Sequence, residues 1–456
     1  MTTLAKYQKY TITNEKRGEG SYGAVYSGYN SDDKTIKYAF KFMKETSTTS
    51  GLVSPPNIRE LIFLAEATFL YQPQTSPFIP LIDVIPSKFI EFYEKQNELT
   101  NCIVLVLPNY EADFSTIIYS QALDDYSIIE ALFLFQKILT PINHMHQLGF
   151  AHRDLKHGNI LTDKYWNLKL IDFGMVQYLK ETYEEVVDIQ QQQTTFQPLT
   201  HSGAIATLWW RAPEQSFSAS NLSSYFKLYR KNGIYNDSFA IGIMCLEAVS
   251  GVILFKQENK QEEISLAQLL ATQFWVDRQV LRGEFLQQVE KKLDFAGQQA
   301  FCDYLQILND GEEVRSVLEA FSRCRYSLQQ LVYKFLVIRF CVKMGKFDIE
   351  SSIQHQHLFK QVSDVISKLM SIEVTQRWQV SQALDLINDL TSNLNPDKFN
   401  KLIKNSPVQG KNSKRLLKFS ENLKDLGFRG VDGWFNVFKV VCDIKIAGID
   451  EAGLGL

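Results

Sequence analysis

Two short strings hold much of the chemistry in this 456-residue chain: A-H-R-D-L-K-H-G-N from Ala151 to Asn159, and I-D-F-G from Ile171 to Gly174. Asp154 offers a carboxylate that can accept a proton from an attacking hydroxyl. Asn159 and Asp172 are hard oxygen donors of the kind that bind magnesium ions holding a nucleotide's phosphates. Lys156, two residues after Asp154, supplies a cation to neutralise charge on a phosphoryl group in transit. The combination points to phosphoryl transfer.

Upstream, Gly18, Gly20 and Gly23 form G-E-G-S-Y-G with Val25 two residues on, a pattern that lets backbone groups approach phosphates closely. Alone it also fits a dinucleotide-binding fold or an ordinary hairpin turn. The run that follows, Ala24 to Tyr29, reads as a strand where a dinucleotide fold needs a helix, and no βαβ pattern develops. Lys41 ends Y-A-F-K, 18 residues after Gly23 and 19 before Glu60. A buried lysine needs a carboxylate partner, because an unpaired charge there is costly, and Glu60 is the candidate.

The elements that must position these groups follow from periodicity. Strands are expected near 9–17, through Tyr29, and from Thr35 to Met43, with a helix from Ile58 to Leu70. An apolar strand runs from Val104 into a Pro-Asn break before Tyr110. Helical spacing returns from Ile128 to Leu148, before the Asp154 loop, and D-S-F-A-I-G-I-M-C-L-E-A-V-S-G from Asp237 to Gly251 reads as a buried helix beginning at its aspartate. In Leu331–Phe347, Lys334, Arg339 and Lys343 interrupt the apolar run, which predicts an amphipathic helix and no membrane span. Helix packing is the expected role of His144 and His146.

Taken in order, these motifs resemble those of eukaryotic-type protein kinases over residues 8–390. S-P-P-N-I-R-E-L at 54–61 and T-L-W-W-R-A-P-E at 207–214 resemble the cyclin-dependent and related branch. The resemblance implies an α+β, two-lobed fold: a small lobe over 8–108, and a large helical lobe over 111–390 enlarged by an insertion within 256–353. A C-terminal extension follows over 391–456. It implies a serine/threonine protein kinase using ATP and Mg2+, with Asp154, Lys156, Lys41 and Glu60 as catalytic residues and Asn159 and Asp172 as metal ligands. Gly18, Gly20, Gly23, Val25, Ala39, Lys41, Leu107, Tyr110 and Leu161 would form the nucleotide site. Adenine would pair with backbone groups near Pro108, which lacks an N–H, although the next two residues have one.

The resemblance also implies an apolar column of Leu64, Leu81, His152 and Phe173 anchored by Asp237. Ser202 takes the place of an activating phosphothreonine, with Arg59 and Arg153 in two positions of its arginine cluster and Gln177 in the third. Arg211 implies proline-directed specificity, and Trp210 stands where that branch has tyrosine. A cyclin-like activator would pack on the 54–61 helix, although Pro55 and Asn57 also suit the start and cap of a surface helix. Q-Q-Q-Q-T-T-F-Q at 190–197 is expected to be mobile. A pseudokinase or scaffold without phosphotransfer, and small-molecule phosphotransfer, are the competing readings.

Composition is consistent with a globular intracellular protein, cytoplasmic or nuclear. Hydrophobic residues make up 45% and charged residues 22%, and the net charge of −3 gives no global reason for nucleic-acid steering. Cys102, Cys245, Cys302, Cys324, Cys341 and Cys442 lack metal-site spacing and disulfide density. Local charge differs: eight Lys and Arg between Lys398 and Lys424 face one acid, Glu421. That tail reads as a solvated linker, or as a surface for an acidic substrate, nucleic acid or the kinase itself.

Overall fold

Aromatic residues alternate with Ala39, Lys41 and Met43 in Y-A-F-K-F-M, and this period of two creates a sheet with unlike faces. In the computed structural model, which describes residues 2–20, 23–43, 54–73, 75–93, 99, 102–110, 112–115, 128–162, 167–179, 183–188, 193–198, 210, 212, 233–250, 329, 332–333, 336, 342–343, 346–347, 349–371 and 374–392, the chain forms two compact units. The first comprises Met1–Phe114 and Gly158–Val176. The second comprises Ser115–His157 and Gln177–Leu456.

The first unit is built on an antiparallel seven-stranded sheet of β1 (Thr3–Tyr7), β2 (Tyr10–Gly20), β3 (Gly23–Asn30), β4 (Lys37–Met43), β5 (Asp83–Pro86), β6 (Glu91–Phe92) and β7 (Ile103–Pro108), in the order β5-β7-β4-β3-β2-β1-β6. Tyr38, Phe40 and Phe42 of β4 join Tyr10, Ile12, Ile85, Val104 and Val106 in a buried core. Tyr10 meets Tyr38 and Phe40 edge to face, with centroids 5.2 and 5.8 Å apart. Its hydroxyl donates to Asp83, and burial together with that carboxylate pushes the phenol above its usual range. On the other face, Val25, Lys41 and Leu105 lie in register, as do Ser27, Ala39 and Leu107.

Helix α1 (Pro55–Leu70) begins with Pro55 at its first position, where a missing N–H costs nothing. The cap is Ser54, whose side chain accepts from the Asn57 N–H, while Asn57 is itself buried; this corrects the expectation that Asn57 caps the helix. A small sheet of β8 (Ala112–Asp113), β10 (Ile160–Thr162) and β11 (Leu168–Leu170) completes the unit. Buried Lys169 of β11 donates to the carbonyls of Pro73 and Ser76, and Phe78 bridges Leu170.

In the second unit, α2 (Ile128–Gln147), α3 (Gly233–Ser250), α4 (Ile349–Leu369) and α5 (Val380–Ser392) pack together, with the β9 (Phe150–Ala151) and β12 (Gln177–Tyr178) pair beside them. Helix α3 is apolar nearly all round, as a core helix must be. A side chain at Gly242 would come within 2.5 Å of Met370 Cγ, so that position lets α3 approach the end of α4. Arg377 ties the α4–α5 connection to α3, donating to the carbonyls of Ser371 and Tyr235.

Several expectations change. β1 precedes the first expected strand, and α3 begins at Gly233, a turn before Asp237. Residues 193–197 of the glutamine-rich stretch lie in β14 (Gln193–Pro198), paired antiparallel with β13 (Tyr183–Asp188), Val186 opposite Thr195 and Val187 opposite Thr194. Leu331–Phe347 is not one helix: Val332, Tyr333 and Leu336 are helical and buried, but Val342–Lys343 turns back on Lys346–Phe347 as a hairpin. Among the described residues, no helix is long and apolar enough to cross a membrane. Most of 256–353, Ser202, Arg211 and everything after 392 lie outside the described residues.

Candidate active site

In the first unit, strand pairing brings Val25, Ala39, Lys41 and Leu107 to the sheet face opposite the aromatic core. Lys41 reaches from this face to α1, where its Nζ donates to Glu60 Oε1 at 2.7 Å and Oε2 at 2.6 Å. It also donates to Asp172 Oδ1 at 3.3 Å. Glu60 is only 3% exposed and Lys41 13%, whereas Asp172 keeps 36%. Burial alone would depress the Lys41 ammonium. The carboxylates of Glu60 and Asp172 outweigh it and hold the group above the usual lysine range.

Asp172 has a left-handed backbone, φ 65°, and is followed by a short 3-10 turn, Phe173–Met175. Aspartate tolerates that region better than most residues. The turn packs against α1: Phe173 lies on Phe63 with centroids 4.3 Å apart, and Phe78 meets both rings edge to face. Leu64 is fully buried, and Phe63 and Phe78 supply an aromatic contact that the sequence reading missed. Their signal was F-L-A-E-A-T-F and S-P-F, in which aromatic residues interrupt aliphatic runs.

Asn159 is buried, and its carbonyl accepts the Ile171 N–H, linking it to the residue before Asp172. Leu161 lies in β10, paired with Asp113 and Lys169. Pro108 ends β7 opposite Tyr38, and of the two donors after it, the Asn109 N–H is engaged by the Lys37 carbonyl. Gly23 is sterically required, because a Cβ there would lie 2.5 Å from the Phe42 carbonyl oxygen; at Gly18 the surrounding space is open. An amide and a partly exposed carboxylate fit a hard divalent cation.

In the second unit, Lys156 Nζ donates to Asp154 Oδ2 at 2.9 Å. Asp237 anchors this loop from α3: Oδ2 accepts the His152 N–H, Oδ1 accepts the Arg153 N–H, both at 2.7 Å, and His146 Nε2 is 2.9 Å from Oδ2. His152 is fully buried, and its Nδ1 accepts the Asp154 N–H at 3.3 Å. Arg153 is left-handed, φ 67°, a conformation held by these contacts. Burial lowers His144 relative to ordinary histidine. His144 and His146 both lie on α2. Glu247 was also missed. It accepts from His157 and Trp210, and an acid within the apolar run that follows Asp237 in α3 was its signal.

The protein kinase domain family matches residues 11–386. Cyclin-dependent kinase E-1 of Arabidopsis thaliana is 25% identical over 275 residues, covering 58% of this chain and 49% of that protein. Mitogen-activated protein kinase spm1 of Schizosaccharomyces pombe is 29% identical over 251 residues, covering 55% and 50%, and mitogen-activated protein kinase 14 of Xenopus laevis is 26% identical over 263 residues, covering 57% and 59%. The chain spans 49–59% of the length of these relatives. The α+β architecture is that of the kinase fold. With the matched region containing all the charged groups placed above, the chain belongs to the protein kinase family.

Proposed function

We propose that the chain is a protein serine/threonine kinase that transfers the γ-phosphoryl group of ATP to protein hydroxyls. The observation that carries this reading is the Lys41 ammonium held between Glu60 and Asp172, since a buried cation so constrained is available to phosphate oxygens. Asp154 takes the proton of the attacking hydroxyl, and Lys156 neutralises charge on the phosphoryl group. Asn159 and Asp172 would hold magnesium, which when bound would neutralise charge on the nucleotide's phosphates. Val25, Ala39 and Leu107 provide apolar contact for the base, and Tyr110 and Leu161 belong to the same proposed nucleotide set as Gly18, Gly20 and Gly23.

The test is phosphate transfer to a mixed protein pool by wild type and Asp154→Asn. Loss in the variant is expected to be large, because base and orientation disappear together. Equal transfer by both would sink the assignment. Proline-directed specificity, proposed from Arg211, is checked by a positional peptide library for enrichment of proline after the acceptor.

A cyclin-like activator is proposed for α1. Ile58, Ile62 and Phe69 recur along one stripe of the helix and are 45%, 52% and 89% exposed. Full turnover by the purified protein alone would argue against an obligatory activator.

A pseudokinase or scaffold that binds nucleotide or partners without phosphotransfer is the second reading, favoured by Pro108 and by the engagement of the Asn109 N–H within the sheet. Nucleotide titration with and without magnesium separates them further: no binding in either condition by a folded sample favours the scaffold.

A further inference from the structure

Arg17 directly precedes Gly18, and the chemistry assigned so far gives it no role. β2 carries an extra residue at this point. Lys16 pairs with Tyr26 and Gly18 with Val25, so Lys16, Arg17 and Gly18 stand opposite two residues of β3, and Arg17 is the one left out of the register. A bulge of this kind re-aims a side chain. Here Arg17 Nε donates to Ser27 Oγ at 2.7 Å. Glu15 Oε1 is 3.8 Å from the same nitrogen, and with side chains 41% and 36% exposed that ion pair holds the guanidinium only weakly.

Ser27 fixes where the cation lies. Tyr26 meets Phe42 edge to face in the aromatic core, so by strand alternation its neighbour Ser27 points to the opposite face, in register with Ala39 and Leu107. Ser27 is buried, and its carbonyl accepts from Thr13 Oγ1 at 2.9 Å, which further fixes the residue. Ser27 and Ala39 are neighbours across the ladder, about 5 Å apart. The guanidinium therefore sits at the margin of the row proposed to take the base. A planar cation with one edge on a hydroxyl keeps its flat face for an aromatic ring. Solvation does not explain the arrangement, because a solvated arginine needs neither a bulge nor a buried hydroxyl.

We propose that Arg17 is a further binding residue of the nucleotide site, whose guanidinium, held by Ser27, stacks on the face of a purine base. This rests on the nucleotide-binding part of the kinase reading. The group recognised is the base and not the phosphates, which Lys41, two residues along β4 from Ala39, is placed to meet. Arg17→Gln keeps a donor on a similar stem and removes the charge and the planar fork. It is expected to raise the Kd for adenosine and for ATP by the same factor, about fivefold. Arg17→Lys, which keeps the charge without the flat face, should lose about threefold. Ser27→Ala frees the guanidinium and should also lose about threefold, but should lose nothing further when combined with Arg17→Gln.

Equilibrium titration of adenosine and ATP reads each of these. An adenosine affinity unchanged or tightened in Arg17→Gln overturns the proposal. So does a loss for ATP clearly greater than the loss for adenosine, which would put the cation on the phosphates. Equal losses from Ser27→Ala in both backgrounds overturn the holding role of Ser27. If Ser27→Ala does not fold, the two Arg17 variants carry the test. Titration reads no phosphate transfer, so the two readings fail separately. A wild type that binds adenosine through Arg17 yet phosphorylates nothing supports the proposal and overturns the kinase reading, whereas one that phosphorylates protein with an adenosine affinity indifferent to Arg17 does the reverse.

Discussion

Phe173, the residue after Asp172, lies across Phe63 of α1 with ring centroids 4.3 Å apart and planes inclined by 30°. This contact joins the helix that carries Glu60 to the turn that follows Asp172, so the two carboxylates around Lys41 are held by one aromatic stack. Phe63→Ala should cost about 3–5 kcal/mol, the usual range for removing a buried phenylalanine. It should also weaken nucleotide binding, because α1 and the turn lose their common support. Urea denaturation and nucleotide titration check this, and a loss of stability with unchanged affinity would show that the stack does not position the carboxylates.

The Lys41 ammonium gives a pH dependence of definite sign. Its folded pKa is raised, so its stabilising contribution is complete below the unfolded value of about 10.4 and is lost only as pH rises through the higher folded value. No part of any stability loss between pH 7 and 9 should therefore come from this residue. Lys41→Met leaves the buried Glu60 carboxylate without its cation and should cost about 3–5 kcal/mol at neutral pH. Acidification, which neutralises the stranded carboxylate, should narrow the gap from wild type. Denaturation midpoints at several pH values would show the trend, and a gap that widens in acid contradicts it.

Gly18, within β2, and Gly23, at the start of β3, should behave differently. Gly23→Ala forces a Cβ against the Phe42 carbonyl, a backbone atom that cannot move aside cheaply, and should cost about 1–3 kcal/mol. Gly18→Ala meets no atom within 4 Å and should leave stability within about 0.5 kcal/mol while weakening nucleotide binding. Thermal unfolding and nucleotide titration of both variants decide the matter; equal destabilisation would count against the steric account.

Asp237→Asn places an amide where both carboxylate oxygens accept hydrogen bonds. One acceptor becomes a donor facing another donor, inside a site that is 1% exposed. A loss of about 2–4 kcal/mol is expected. It should be accompanied by faster amide exchange at His152 and Arg153, and protection equal to wild type would contradict the anchoring role.

Groups set by short-range order were legible in the sequence as candidates. The spacing from Gly18 through Lys41, and from Asp154 to Asp172, marked the candidates for one chemistry, of which the structure pairs Lys41 with Glu60 and Asp172, and the alternation in β4 marked the two faces of that strand. Phe78 and Glu247 were not legible. Their partners, Phe173 for one and His157 and Trp210 for the other, are far away in sequence, and no local period records such contacts. The start of α3 was missed because G-I-Y-N is a poor helix signal, and its helicity comes from burial of the face that follows. The β13–β14 pairing was missed because the surrounding glutamines and acids hid Val186–Thr195 and Val187–Thr194, two of its six pairs.

The two faces of β4 make the chain sensitive to the parity of insertions. Tyr38, Phe40 and Phe42 belong to the core, while Ala39 and Lys41 belong to the opposite face. One added residue between Ala39 and Lys41 would send the ammonium inward and an aromatic ring outward unless a bulge absorbed it; two added residues would restore each side chain to its own face, displaced by one pleat. Length variation in this strand is therefore restricted to even steps or to steps paired with a bulge, whereas the turns at its ends can change by any number.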